Sequence, residues 1–482
     1  MFIGRASELK QLKRLTKKRT ASLVCILGRR RIGKSTLIEE FAKTFPKFIE
    51  IQGLGPDEGS GEREQLDNFA KKLSEQTRSK LLRLDSWSDA FTELASYVKR
   101  GPALVLLDEI SWMARGDPLF AAKLKVAWDT QFKKNPNLIL VLCGSVSSWI
   151  SDNLLKNANF EGRISLQLQL KELSLVEINQ FWESNNFHLS DLERLLLLSI
   201  TGGVPKYLEE VVESQGAENN ILEICYNPAG ILYNDFEKIF LQIFGRRTKS
   251  LERIVRACLM QKLSPAKLAQ KLKISLSGDL SEDLEILELS GFLSRDYFFN
   301  LDGSASKLNH LRVSDNYLRF YLKYIEPQKK RIAKGGKIFS SLSELPGFYS
   351  LLGLQFENLI LANRMLLYPH LGLTNSQIVT AAPYVQSKKT TNQGACQVDL
   401  LIHTELDVFF LCEMKCKKKI GLEVIAEIKR KMKILKFPKK AVLKPVLIYS
   451  GELVENYEDE FRSFFYRTIN LKDLFQTNGA DR

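Results

Sequence analysis

Eight residues near the start of the chain, Gly28-Arg-Arg-Arg-Ile-Gly33-Lys34-Ser35, have the spacing G-x-x-x-x-G-K-S, and Thr36 follows. Glycines at both ends let backbone N–H groups curl around phosphate oxygens, the lysine reaches the outer phosphates, and the hydroxyl can ligate Mg²⁺. Gly28, Gly33, Lys34, Ser35 and Thr36 are therefore candidate ligands of a nucleoside triphosphate, with ATP and Mg²⁺ the implied cofactors. A metal-bound triphosphate also needs a carboxylate from a neighbouring strand. Ala103-Leu-Val-Leu-Leu-Asp108-Glu109 supplies two. Asp108 would hold the metal through water, and Glu109 would orient and deprotonate the attacking water. Two acids closing an apolar strand can also be a solvated strand end; the adjacent pair, 74 residues after Lys34, favours hydrolysis.

A second constellation lies near the other end. Gln397-Val-Asp399-Leu-Leu-Ile402 and Cys412-Glu413-Met-Lys415 read as two strands, and residues two apart on a strand share a face. Asp399 and Glu413 would bind one or two Mg²⁺, and Lys415 would position or deprotonate a water attacking a phosphodiester. Glu357, on an upstream helix, offers a further carboxylate. The competing reading is an inert fold whose surviving acids are solvated or salt-bridged.

The elements that position these residues follow from the pattern. Apolar runs at 21–27, 48–54, 103–107, 138–143 and 164–170 alternate with amphipathic stretches at 64–77, 87–99 and 119–133. That alternation predicts a parallel sheet covered on both faces, an α/β nucleotide-binding layout over residues 1–170. Leucine-rich helical patterns then suggest a helical lid, 171–245. Residues 246–327 hold a helix beginning at Ser264-Pro265, a second over Asp279–Leu289 and a wing-like run to Phe299, the order of a winged helix-turn-helix. The would-be recognition helix carries Asp279, Glu282, Asp283, Glu285 and Glu288 and no basic residue, so it suits packing against protein better than reading DNA. A basic, glycine-bearing linker, 328–345, leads to a C-terminal α/β domain, 346–482.

Most of the chain resembles the archaeal-type P-loop ATPases of the AAA-like branch, many of which carry a C-terminal domain. Phe2-Ile-Gly-Arg5-x-x-Glu8-Leu9 is similar to that family's opening motif, which helps seat the adenine, and Thr201-Gly-Gly-Val-Pro205-Lys-Tyr207-Leu to its lid signature. The resemblance implies that Ser145, after the fourth strand, senses the γ-phosphate where many relatives use Asn. It also implies that Arg163 stabilises transition-state charge, in a neighbouring subunit if the protein is a homo-oligomer; a plain surface arginine is the other reading. His310 to Tyr321 resembles a further family segment, whose aromatics and leucines read as core. The D…E-x-K pattern resembles the PD-(D/E)xK nuclease superfamily, with Val398 where that superfamily often has proline. The resemblance therefore implies a restriction-endonuclease-like C-terminal domain.

The 482 residues suffice for about three compact units, and 44% hydrophobic with 26% charged residues excludes a disordered or fibrous chain. The net charge of +14 is uneven: residues 1–240 carry 32 Lys and Arg against 31 acids, residues 241–482 carry 38 against 25. The basic half predicts a nucleic-acid partner, DNA in first place. No segment reads as a signal peptide or membrane span, so a cytoplasmic protein without a membrane partner is expected. Seven scattered cysteines and four histidines argue against a disulfide framework and a zinc site. A nucleotide-switched regulatory or scaffold protein is the alternative to a nuclease-coupled ATPase.

Overall fold

The computed structural model describes residues 2–55, 61–145, 148–158, 160–301, 304–336, 341–386 and 394–476, with only the backbone of Ser148, Arg246 and Ala305. A Gly/Ser-containing turn is expected from sequence over Asp302–Ser306; its residues 302–303, and residues 337–340 of the linker, lie outside the described residues. The chain forms two compact units. The first comprises Met1–Glu172, Glu237–Leu251 and Glu282–Gly291; the second comprises Leu173–Phe236, Glu252–Ser281 and Phe292–Arg482. The contiguous boundaries drawn from sequence thus give way to an interleaved chain.

In the first unit β1 (Ser22–Gly28), β2 (Phe48–Gln52), β3 (Ala103–Asp108), β4 (Leu138–Gly144) and β5 (Ile164–Leu170) form one parallel sheet in the order β2-β3-β4-β1-β5. The three inner strands are buried at every residue, which is why they read as unbroken apolar runs. Edge strand β5 instead alternates, with Ser165, Gln167 and Gln169 exposed. Helices α1 (Ala6–Leu15), α2 (Lys34–Ala42), α3 (Glu62–Thr77), α4 (Trp87–Tyr97) and α5 (Phe120–Thr130) accompany the sheet. On one side Phe69, Trp87, Phe91 and Phe120 make edge-on ring contacts within the core that also buries Leu23, Val105 and Leu140. The two later segments are tied to this unit by polar contacts. Lys156 pairs with Glu285 at 2.7 Å, Gln169 donates to the Leu289 carbonyl at 3.0 Å, and Asp283 accepts from Ser250 at 3.2 Å and pairs with Arg247.

The second unit begins with helices α6 (Leu175–Ser184) and α7 (Asp191–Thr201), each opened by a Ser/Glu capping box at Ser174 and Ser190. Gly202, at φ 61°, ends α7 in the left-handed conformation a glycine adopts most readily. Downstream, helices α8 (Thr248–Cys258) and α10 (Gly278–Leu289), whose residues 248–251 and 282–289 belong to the first unit, and α9 (Pro265–Leu272) precede an antiparallel hairpin, β6 (Leu293–Phe299) with β7 (Ala305–Val313). Ser264 caps α9 and Pro265 occupies its first turn, as the sequence predicts. The C-terminal sheet has the order β12-β11-β10-β9-β8, from β8 (Ile378–Gln386), β9 (Cys396–Thr404), β10 (Val408–Ile420), β11 (Val442–Leu453) and β12 (Arg467–Asn470). β8, β9 and β10 are antiparallel neighbours; β10, β11 and β12 are parallel. Helices α11 (Phe348–Ala362) and α12 (Glu423–Ile434) flank these strands in sequence. All seven cysteines are free thiols, and Cys412 and Cys416 both lie on β10. Among the described residues no helix is long and apolar enough to cross a membrane, and no three His, Cys, Asp or Glu side chains could together hold a metal.

Candidate nucleotide site and a second acidic cleft

Parallel strands deliver their C-terminal ends to one edge of the sheet, and there the nucleotide-site candidates meet. β1 ends at Gly28, where an added Cβ would lie 2.8 Å from the Leu170 carbonyl oxygen, so the loop starts on a residue with no side chain. Arg31 and Gly33 take positive φ, 68° and 86°, which turns the loop back into α2. Lys34 is buried, its Nζ donating to the carbonyls of Gly28 and Arg29 at 3.2 Å each. Ser35 Oγ donates to Asp108 Oδ2 at 2.6 Å, joining the helix start to the end of β3. The remaining Asp108 oxygen accepts the Glu109 N–H at 2.9 Å. Glu109, itself in the left-handed region at φ 50°, accepts the Ser145 N–H at 3.4 Å. Thr36 is exposed on the next turn.

Burial raises the Glu109 pKa above the usual carboxylate value, and Asp108 adds to that while Lys34 opposes it. A more basic carboxylate is a better acceptor of a water proton. Ser35 and Asp108 are hard oxygen donors, already in contact, and fit a Mg²⁺ ion. Arg5 supports the loop from below: it is buried, and its Nη2 donates to Ile32 O at 3.1 Å and Lys171 O at 2.6 Å.

Arg163 lies elsewhere. It precedes β5, whose Ile164 pairs with Leu23 near the start of β1, whereas Gly28 pairs with Leu170. At ~3.3 Å per residue that places Arg163 roughly 17 Å from the phosphate loop, at the opposite end of the strands. It forks onto Asp129 of α5, Nε at 3.1 Å and Nη2 at 2.9 Å, and holds that carboxyl well below its ordinary value. Arg163 therefore has no reach to the nucleotide loop of its own subunit.

In the second unit Glu357, Asp399, Glu413 and Lys415 line a single cleft of about 610 Å³. Asp399 accepts the Met414 N–H at 2.9 Å, across the β9–β10 pair. Burial, then Glu413 and Glu357, push its pKa up to about 7. Glu413 is 2% exposed, with one oxygen 2.8 Å from Lys415 Nζ and the other 2.6 Å from Lys431 Nζ. Glu427 completes a ring, 2.9 Å from Lys415 and 3.3 Å from Lys431. Burial pulls the Lys415 ammonium pKa down, but the acids around it outweigh that and raise it. Glu357 pairs with Lys262.

Sequence reasoning missed Glu427 and took Lys431 for a phosphate contact or part of a solubilising face, whereas it is buried against Glu413. Their signal was available, four residues apart on α12 and so on one helix face.

Residues 2–211 match the family described as an ATPase domain predominantly from Archaea, so an archaeal-type ATPase domain occupies the first part of the chain. An uncharacterised protein of Methanocaldococcus jannaschii is 22% identical over 366 residues, 74% of this chain and 76% of that one. Among solved structures, the Walker-type ATPase PABY2304 of Pyrococcus abyssi is 19% identical, with a TM-score of 0.46 over 67% of this chain and 96% of its own. The ORC2 protein of Aeropyrum pernix is 14% identical, with a TM-score of 0.41 over 69% of this chain and 94% of its own.

Proposed function

We propose that this protein binds and hydrolyses ATP with Mg²⁺ at the Gly28–Ser35 loop, and that its C-terminal domain acts on or binds nucleic acid. The observation that carries the first part is the 2.6 Å contact of Ser35 with Asp108, flanked by Lys34 and Glu109. Ser35 and Asp108 would hold Mg²⁺, which neutralises developing charge on the phosphates. Lys34 would leave the loop carbonyls for the outer phosphates, and Glu109 would take the proton of the attacking water. Phosphate release measured with Mg²⁺ and ATP tests this: wild type should turn over and Lys34→Ala should lose both turnover and ATP binding. Equal release by the two proteins rejects the assignment.

For the C-terminal domain, the order helix, three antiparallel strands, helix, parallel strand supports the nuclease-like reading, as does the shared cleft of Glu357, Asp399, Glu413 and Lys415. The exposed lysines at 417–419 and Lys429, Lys433, Lys436, Lys439 and Lys440 would meet the phosphate backbone of DNA. A second reading, an inert scaffold switched by nucleotide, is favoured by Glu413, both of whose oxygens are taken by ammonium groups. Incubating plasmid and single-stranded DNA with Mg²⁺ or Mn²⁺ separates the two. Cutting by wild type but not by Asp399→Ala supports the nuclease, and intact substrate with both supports the scaffold. Arg163, remote from its own loop, could serve a nucleotide only in a neighbouring copy of a homo-oligomer.

A further inference from the structure

The segment 237–251 belongs to the first unit although it lies some 65 residues beyond the last strand of that sheet. Its helix, Asp235–Phe244, places Gln242 and Ile243 on the wall of a small cavity whose other lining residues are Arg30, Ser111, Trp112 and Ser145. Arg30 is part of the phosphate loop and lies 5.7 Å over the Trp112 ring. Ser145 donates its N–H to Glu109. The cavity holds about 10 Å³, roughly room for one water. Gln242 Oε1 is fully buried and has no hydrogen-bond partner among the described residues. A buried acceptor left unpaired costs about 1–3 kcal/mol, so such a group calls for a partner, and the space beside it suits one water.

The segment is also anchored. Thr248 Oγ1 donates to the Phe240 carbonyl at 3.1 Å, Phe240 and Phe244 pack edge-on at 5.1 Å, and Asp283 clasps Arg247 and Ser250. Gln242 is therefore presented on a fixed helix, beside the residue that binds Glu109.

We propose that Gln242 is a positioning residue for ATP hydrolysis, its carboxamide holding the attacking water between Ser145 and Glu109. The inference rests on the ATPase reading above. A carboxamide suits the task because its oxygen accepts from the water while its nitrogen donates to a phosphate oxygen. In the step, the water oxygen bonds to the γ-phosphorus and the bond to the bridging oxygen breaks, its electron pair leaving with ADP. The water proton goes to the Glu109 carboxylate. Gln242 is not consumed and exchanges no proton; it sets the angle of approach.

The test uses the full chain with MgATP and compares wild type, Gln242→Ala and Gln242→Met, the last preserving volume without the carboxamide. Steady-state hydrolysis should show kcat reduced about 10²-fold in both variants, on the scale of one lost positioned group. KM, ADP affinity and the thermal midpoint should stay near wild type. If wild type turns over ATP and Gln242→Met keeps kcat within about twofold, the side chain only fills space and this inference is overturned while the ATPase reading stands. If wild type neither binds nor hydrolyses ATP, both fall together.

Discussion

Arg319 sits in the segment His310–Tyr321 that sequence reasoning assigned to the core, and it offers a sharp test of how that core is held. The side chain is 3% exposed, and its three nitrogens reach three separate elements. Nε donates to the Leu259 carbonyl at 3.1 Å, Nη1 to Gln355 Oε1 at 2.7 Å, and Nη2 to the Val313 carbonyl. Among the described residues no carboxylate lies within ion-pair distance, and burial, with Arg312 adding, lowers the guanidinium pKa from 12.5 to about 10. That drop corresponds to about 3 kcal/mol spent on keeping the charge. Arg319→Met removes that cost but leaves two buried acceptors, the Leu259 carbonyl and Gln355 Oε1, unpaired at about 1–3 kcal/mol each, the Val313 carbonyl keeping the Asn358 amide at 3.0 Å, for a net loss of up to about 3 kcal/mol. Arg319→Lys keeps a buried charge, more strongly hydrated than guanidinium, and can reach at most one of the three acceptors. The loss should then be roughly 3–5 kcal/mol, so the chemically conservative change is the more damaging. Thermal unfolding followed by circular dichroism at pH 7 should rank wild type above Met and Met above Lys, with several degrees between the variants. A Lys variant that melts at or above the Met variant would refute the accounting.

Asp399 gives a pH prediction. Its folded pKa, about 7, exceeds the ordinary 3.8, so the folded state binds more protons between those values and stability falls as pH rises from about 4 to about 7, then levels off. Urea midpoints of Asp399→Asn should gain on wild type by about 2 kcal/mol at pH 8 and by little at pH 4, the cleft-facing exposure trimming the full effect; equal gains at both pH values would contradict this. Glu109→Gln should bind MgATP with wild-type affinity and lose about 10²-fold or more in hydrolysis, measured by nucleotide-binding titration beside phosphate release. Binding of duplex DNA should weaken steeply with salt, with a log–log slope of about −0.9 per phosphate contacted, and neutralising Lys418, Lys419 and Lys440 should flatten that slope by up to about 3. A slope near zero in wild type points to a protein partner instead.

The strands that carry the nucleotide loop were legible because burial on both faces leaves unbroken apolar runs, and the loop itself because phosphate binding restricts residue types at fixed offsets. β8 was not, since Ala381-Ala382-Pro383 lacks strand character; the proline is tolerated because β8 is the sheet's edge. β10 was read only as far as Lys415, but it runs on to Ile420 through Lys417–Lys419, whose charge imitates a loop. The D…E-x-K residues were found by spacing, yet their lysine and carboxylate partners on α12 came only with the fold. Arg163 looked suitable by its place after a strand, and only the register of β5 against β1 shows which end of the sheet it occupies. Gln242 has no motif around it; its position depends on a return of the chain that no local pattern encodes.

That return governs how the molecule can be divided. The polypeptide passes from one compact unit to the other five times, after residues 172, 236, 251, 281 and 291. The stretch of family likeness ends at 211, inside the second unit, so its end does not coincide with the edge of a compact unit. Cutting at either 172 or 211 strips the sheet of Gln242 and of the segment anchored by Glu285 and Leu289, while leaving the Gly28–Ser35 loop intact in sequence. Isolated fragments would therefore misreport the catalytic rate of the whole, and any shuffling of this ATPase onto another effector has to carry both returning segments with it.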